Sequence, residues 1–458
     1  DYELIRQKYL NNGCDMMTAT KKMLEKKQKE AGKLLFNNVL RTLENQRNAE
    51  PLWKNYLRPH SAYVFLPVHP DIADYFFQPI IQQHQLNLGI RGRSFIRDSS
   101  ELVAVFESLI KDVNKKHNTR LTTSRISNNV YQLLSDQTAD QADAMLITGR
   151  LSSISENTPL YYYAPTIRYL AKQYTIMCSK RMTEISHEIG QPSVQQYEPD
   201  ISNNNVVGSK ICPTDETMRY LVEDLKQKII STRNIPNSRL AVVRFHNAYT
   251  AYTAVLLGHA TGYRAVRDPL YSSKELDFET GFGVLSDKDD DDYYNARLMW
   301  FHSICVNQLL AYKKHRLSLA ERLVLLNPEY SELIRESSAI SNVWSPHKKS
   351  LDKKKIPFLF FIKDNYKFTN VRPETMALHV RWCYELPMNS NRSYLRTRLR
   401  EKGVSGEVVN AFLGHWVRGQ EPFGKYSSLS PMDYRDALIN PLTMILQEAG
   451  WEVIEGLK

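Results

Sequence analysis

Residues 389–404 read Asn-Ser-Asn-Arg-Ser-Tyr-Leu-Arg-Thr-Arg-Leu-Arg-Glu-Lys-Gly-Val. Arg392, Arg396 and Arg400 recur at every fourth position and so share one face of a helix, which the Gly403-Val404 pair ends. Such a row of cations is either a solvated face or a surface laid along a polyanion. Upstream, an apolar stretch closes on His259-Ala-Thr-Gly-Tyr-Arg264; downstream, a second closes on Phe412-Leu-Gly-His415-Trp416, followed by Gly424-Lys-Tyr426. Between them lies Leu285-Ser-Asp-Lys288-Asp-Asp-Asp-Asp292 and then Ala296-Arg-Leu-Met-Trp300. That pair of stretches reads as a strand, an acidic turn and a returning strand or helix, with Lys288 at the strand's edge.

The surrounding chain has 458 residues, too many for one hydrophobic core and enough for two or three domains. With 42% apolar and 24% charged residues it has the composition of a folded globular protein. No run approaches the roughly 18 consecutive apolar residues of a membrane-spanning helix. The opening Asp-Tyr-Glu-Leu-Ile-Arg lacks the charged-then-apolar pattern of a signal peptide. The five cysteines lie far apart, with no C-x-x-C pair, which speaks against a zinc ribbon or a disulfide framework and for a reducing cytoplasm. A formal charge of +10 suits a protein that tracks a phosphate backbone, although charge alone is weak evidence for nucleic acid.

Helical patterns dominate from about residue 99, at Glu101–Asn114, Ser124–Ser135, Ala139–Thr148 and Ala164–Glu188. They predict a small all-α domain over 99–188, preceded by an accessory or arm-type DNA-binding region at 1–98. Lys111, Lys115, Lys116, Arg120 and Arg125 gather around the loop between its first two helices as candidate DNA contacts. Residues 189–212, rich in Asn, Ser, Pro and Gln, read as a linker. A last domain, 213–458, opens where Thr214 can cap a helix and Asp215 and Glu216 complement its dipole. Its helices at 216–231, 245–260 and 294–313 and its strand-like runs after Arg264 and at Pro357–Ile362 make an α+β pattern, so the expected fold is mainly α with an α+β second domain.

Taken together, Arg264, Lys288, Arg392, His415 and Tyr426 resemble the boxes of the tyrosine recombinase (phage-type integrase) family: T-G-x-R, the hairpin lysine, a box II arginine on a helix with a Gly-Val end, L-G-H, and the tyrosine. By subtraction of residue numbers the gaps are 24, 104, 23 and 11 residues, and the short ones match the family's intervals apart from a slightly long last one. The resemblance covers residues 210–440. It implies a tyrosine-recombinase-like catalytic domain behind an all-α, SAM-like core-binding domain, acting on double-stranded DNA as a tetramer on two sites, with accessory DNA-bending proteins as partners. It also implies a cytoplasmic, nucleoid-associated enzyme of a bacterium or phage with no metal or other cofactor. Leu257-Gly-His259, a second L-G-H, is an accident of an apolar helix.

The chemistry of the set is coherent. Cutting a phosphodiester without metal takes a nucleophile, a cationic clamp on the non-bridging oxygens and an acid for the leaving oxygen. Arg264 and Arg392 are planar, permanently charged forks for the phosphate. Lys288 is placed to protonate the departing 5′ oxygen, His415 to hydrogen-bond the phosphate and assist proton transfer, and Tyr426 to form the covalent intermediate. The 3′-phosphotyrosine implied by the family keeps the bond energy for rejoining. Arg396 and Arg400 continue the face of Arg392 and are expected along DNA.

Two positions depart from the family. Its box II histidine falls on Asn389, which can position a phosphate but cannot take up a proton. The acidic residue three after the first arginine is Arg267, with Asp268 beside it. Tyr434 is a competing nucleophile. The Asp289–Asp292 run suits a solvated turn better than a metal site. Tyr161-Tyr-Tyr163 is either packing or a base-stacking patch. The helix expected from Met432 to Glu448, with Ala437, Leu438, Leu442, Ile445 and Leu446 on one face, is expected to dock on a neighbouring protomer. A telomere resolvase or type IB topoisomerase would use the same chemistry, and a catalytically silent DNA-binding relative is the reading that Asn389 opens.

Overall fold

The computed structural model describes residues 50–64, 66–67, 99–151, 157–188, 190, 204–233, 240–264, 275–286, 296–338, 356–416 and 420–458. Over these the chain is mainly helical, with two short β-hairpins. Two units divide it. One comprises 1–45, 60–153 and 165–208; the other 46–59, 154–164 and 209–458. The division differs from the expected 1–98, 99–188, 189–212 and 213–458: no boundary falls near 98 or 188, and the short segments 46–59 and 154–164 join the second unit. Trp53 and Leu57 are buried in that unit's core, Arg58 N donates to Cys212 O at 2.9 Å, and Thr217 Oγ1 donates to Tyr56 O at 2.8 Å.

The first unit is built from α1 (Ser99–His117), α2 (Thr123–Thr138), α3 (Gln141–Thr148) and, beyond a segment of the other unit, α5 (Ile167–Glu188). Two of its helices begin at side-chain caps: Thr122 accepts from Arg125 N and Asp140 from Ala142 N. Leu134, Ala144, Met145, Ile147, Leu170 and Ala171 form the buried interior. Asn114 closes the α1–α2 loop through Leu121 N at 2.7 Å and Leu121 O at 2.9 Å. Around that loop Lys111, Lys115, Lys116, Arg120 and Arg125 are exposed.

The second unit contains α4 (Thr158–Tyr161), α6 (Asp215–Arg233), α7 (Ala241–Thr261), the antiparallel pair β1 (Phe282–Ser286) and β2 (Ala296–Trp300), α8 (Ser303–Leu323), α9 (Pro328–Ser338) and a second antiparallel pair, β3 (Phe360–Ile362) and β4 (Phe368–Asn370). It continues through α10 (Pro373–Val380), α11 (Ser390–Glu401), α12 (Gly406–Leu413) and α13 (Pro431–Glu448). Thr214 Oγ1 caps α6 through Thr217 N at 3.1 Å. α7 is buried on nearly every side, as an apolar helix must be at the centre of a unit; α6, α8, α10 and α11 pack around it.

The expected helix 294–313 is corrected at its start. Residues 296–300 pair with β1 in the register Phe282↔Trp300, and the helix opens only at Ser303, after His302 caps Ile304 N. α13 also departs from its expected docking on a neighbour. Tyr434, Leu438, Leu442, Ile445 and Leu446 are buried in the core of their own chain, while Ala437 is exposed. The tail after α13 packs on α7 and α8. Tyr249 and Tyr252 donate to Ile454 O and Glu452 O at 2.6 and 2.7 Å, and Leu457 N donates to His315 Nδ1 at 3.1 Å.

Candidate active site

Two helix ends build the site. α7 stops at Thr261, where Gly262 takes the left-handed conformation (φ 62°), and α12 stops at Leu413, where Gly414 does the same (φ 71°). The last carbonyls of a helix lack intrahelical partners and carry its negative dipole end. Arginines meet them here. Arg392 on α11 donates through Nη1 to Gly262 O and through Nη2 to Leu413 O, both at 2.6 Å. Arg297 on β2 donates to the same Leu413 O at 2.6 Å and to Thr261 O at 3.4 Å. Asn391 ties the turn from the other side, donating to Gly258 O at 2.8 Å and Tyr263 O at 3.3 Å. Thus a helix as polar as α11 is buried throughout Ser390–Thr397: guanidinium forks satisfy carbonyls that water would otherwise have to reach.

Arg392 Nη2 also lies 2.8 Å from His415 Nε2. A guanidinium can only donate, so Nε2 accepts and a neutral imidazole carries its proton on Nδ1. Burial, followed by the charges of Arg392, Arg396, Arg264 and Arg297, holds the His415 pKa well below the ordinary imidazole range. His415 Nδ1 is buried with no acceptor among the described residues, and the same holds for Nε of the half-buried Arg264. A buried donor left unpaired costs about 1–3 kcal/mol. The cluster gathers several cations about one neutral imidazole, and an anion with acceptor oxygens is the chemistry that would complement it.

An aromatic ring completes the cluster. Tyr162, just after α4, stacks on the imidazole of His415 with centroids 5.3 Å apart and planes 14° off parallel. The guanidinium carbons of Arg392 and Arg264 lie over the same ring at 4.9 and 6.0 Å from its centroid. Nothing in the local sequence marks Tyr162, Arg297 or Asn391 as residues of the site. Tyr162 sat in a tyrosine triplet divided between packing and stacking. Strand alternation would mislead at Arg297, since it turns the apolar Ala296, Leu298 and Trp300 inward, whereas the structure half-buries Ala296 and Leu298 and buries Arg297.

Of the residues expected to form the site, Arg264, Arg392 and His415 come together. Tyr426 does not join them: it is 93% exposed, with Lys425 Nζ over its ring at 5.6 Å. Lys288 and the Asp289–Asp292 run lie outside the described residues. Asn389 stands at the entrance of α11 and lines a cavity of about 420 Å³ with Glu50, Trp53, Arg381, Tyr384 and Met388; none of Arg264, Arg392 or His415 borders it. The expected basic face of α11 is corrected as well. Arg396 is fully buried, donating to Asn410 Oδ1 at 2.7 Å with its guanidinium over the Tyr163 ring at 5.3 Å, so it cannot lie along DNA. Arg400 is half-buried and donates to Val404 O at 2.6 Å. The competing Tyr434 is buried, its hydroxyl donating to Leu298 O at 3.4 Å. His259, the accidental L-G-H, is buried near Trp451.

Gly262 gives a direct test of this geometry. A Cβ there would run into the Leu413 side chain, at a φ that L-residues rarely adopt. Gly262→Ala is expected to destabilise the protein by about 2–4 kcal/mol, from the strained φ and the overpacking together. A denaturant midpoint within error of the parent would contradict the close approach of the α7 and α12 ends. No helix among the described residues is long and apolar enough to cross a membrane. Comparison of the chain with family models, with curated proteins and with solved structures returned no match.

Proposed function

We propose that this chain is a DNA strand-transfer enzyme of the tyrosine recombinase kind, which cleaves and rejoins duplex DNA through a phosphotyrosine at Tyr426. The observation that carries the reading is the convergence of Arg264, Arg392 and His415 from three separate segments. His415 Nδ1 and Arg264 Nε are buried donors with no acceptor among the described residues. A phosphodiester matches those donors in charge and in having acceptor oxygens. In the reaction Arg264 and Arg392 hold the non-bridging oxygens, and the neutral His415 donates its Nδ1–H to the charge that grows there. Lys288 protonates the 5′ leaving oxygen. The Tyr426 hydroxyl, exposed beside Lys425, attacks phosphorus once DNA brings the 420–430 loop to the clamp; its proton passes to solvent water as the bond from phosphorus to the 5′ oxygen breaks. The exposed cations of the α1–α2 loop contact phosphates, and the working assembly is a tetramer on two DNA sites.

One observation favours a second reading, a DNA-binding relative without activity. Tyr426 is apart from the clamp, and both Nη atoms of Arg392 already serve main-chain carbonyls. A suicide substrate decides between the two. Duplexes drawn from the flanks of the encoding gene and nicked at successive positions are incubated with the protein and resolved under denaturing conditions. A covalent adduct that disappears in Tyr426→Phe and persists in Tyr434→Phe is the expected result. Site-specific binding without any adduct would establish the silent binder and sink the enzyme.

A further inference from the structure

The ring of Tyr162 packs against Arg264, Arg392 and His415 at once. Arg392 has no exposed surface, and His415 is 3% exposed. A phosphodiester held by both arginines and the histidine would have to lie among three groups that already converge on one phenol ring. The face of an aromatic ring is its negative side, which attracts guanidinium groups as an anion would, only more weakly. The ring therefore stands in for the anion.

The segment that carries Tyr162 is well held at its far end. Ala164 N donates to Thr397 Oγ1 at 3.0 Å, Tyr163 O accepts from Ser209 N at 2.8 Å, and the Tyr163 ring lies under Arg396. Tyr162 itself is only half-buried, so its ring can swing outward without dismantling those bonds. In sequence, 154–164 is bracketed on both sides by segments of the helical unit.

We propose that Tyr162 is a built-in plug of the phosphate clamp, which closes the site in the free protein and must leave before a phosphodiester enters. The proposal rests on the reading of Arg264, Arg392 and His415 as a phosphate site. A closed form lowers apparent affinity by the fraction of molecules that are open. Ring contacts of this kind hold that fraction to about one in ten.

The test uses the full chain and two probes, phenylglyoxal and inorganic phosphate. Labelling of Arg392 and Arg264 by phenylglyoxal, followed by peptide mass spectrometry, reads exposure without reference to any ligand. Tyr162→Ala, with Tyr162→Leu as the variant that keeps apolar volume should alanine fail to fold, is expected to label about fivefold faster or more at these arginines and to bind phosphate about tenfold tighter. Tyr162→Phe, which keeps the ring, is expected to match the parent in both. Unchanged labelling in the alanine and leucine variants overturns the plug, as does a phenylalanine variant that behaves like alanine. A DNA adduct lost in Tyr162→Phe would make its hydroxyl a reactant and would also overturn it. Faster labelling with no Arg264-dependent phosphate binding in any variant would instead leave the ring as a cover and remove the phosphate site, so the two failures are distinct.

Discussion

Replacing Arg392 by alanine is expected to lower the strand cleavage proposed for this chain by about 10³-fold or more and to destabilise the protein by about 3 kcal/mol. The side chain joins three acceptors: Gly262 O, Leu413 O and His415 Nε2. Leu413 O keeps a partner in Arg297 Nη1, so the loss falls on the other two, at about 1–3 kcal/mol for each buried acceptor left unsatisfied. The two together cost about 2–6 kcal/mol, and relief of repulsion from neighbouring arginines offsets part of this, which sets the estimate in the lower half of that range. The effect on cleavage has two sources. One fork of the clamp is gone, and His415 is no longer obliged to keep its proton on Nδ1. Arg392→Lys makes the sharper variant. An ammonium retains the charge but cannot span two helix-end carbonyls and an imidazole with one planar fork. It is expected to retain less than about a tenth of the parent's single-turnover rate. A lysine variant within twofold of the parent in both rate and melting temperature would show that neither the fork nor its two carbonyls matter.

Acidification should unfold the protein well before its carboxylates protonate. His246 and His259 are buried, and burial pushes their pKa down to about 3; His315 and His415 are pushed well below the ordinary range, by burial first and then by neighbouring cations. The hydrogen bonds around the His246–His315 pair describe two neutral rings. Leu457 N donates to His315 Nδ1, so His315 donates from Nε2 to His246 Nδ1 at 2.9 Å. His246 in turn donates from Nε2 to Phe360 O at 2.9 Å. There is no place for a further proton, and Arg316 stands nearby.

The sign follows from the depressed folded pKa values. The unfolded chain takes up protons as pH falls below about 6.5, and the folded chain does not. Stability is therefore complete above that value and is lost progressively from there toward pH 3. From pH 7 to pH 5 each such histidine removes about 2 kcal/mol, so even two of them consume much of a typical 5–15 kcal/mol. Urea midpoints at pH 7.5, 6 and 5 check the trend. His259→Leu, which deletes one titrating group from an apolar site, should flatten the slope by about 1.4 kcal/mol per pH unit between pH 6 and 4. A midpoint that stays level down to pH 4.5 would mean that these rings accept protons in the fold.

Local signals in the sequence were sufficient for the helices of the first unit. Caps such as Thr122 and Asp140 and the apolar periodicity between them are written within a few residues. Gly262 and Gly414 take the left-handed φ on which α7 and α12 stop, a conformation that glycine adopts without penalty, but Gly258, after Leu257, stays within α7, so a Leu-Gly pair alone does not end a helix. The spacing of Arg264, Arg392 and His415 named three residues that do meet. Periodicity could not tell which way α11 faces. Arg392, Arg396 and Arg400 at every fourth position look the same whether solvent, DNA or carbonyls lie opposite. Only the packed structure sets the α7 and α12 ends against Arg392, and Asn410 and Tyr163 against Arg396. The same limit applies to Tyr162, whose partners are more than 100 residues away in the chain, and to α13, whose apolar face is covered by its own core. Sequence determines what a residue can donate, accept or bury; the partner it finds is decided by long-range packing, which no local pattern encodes.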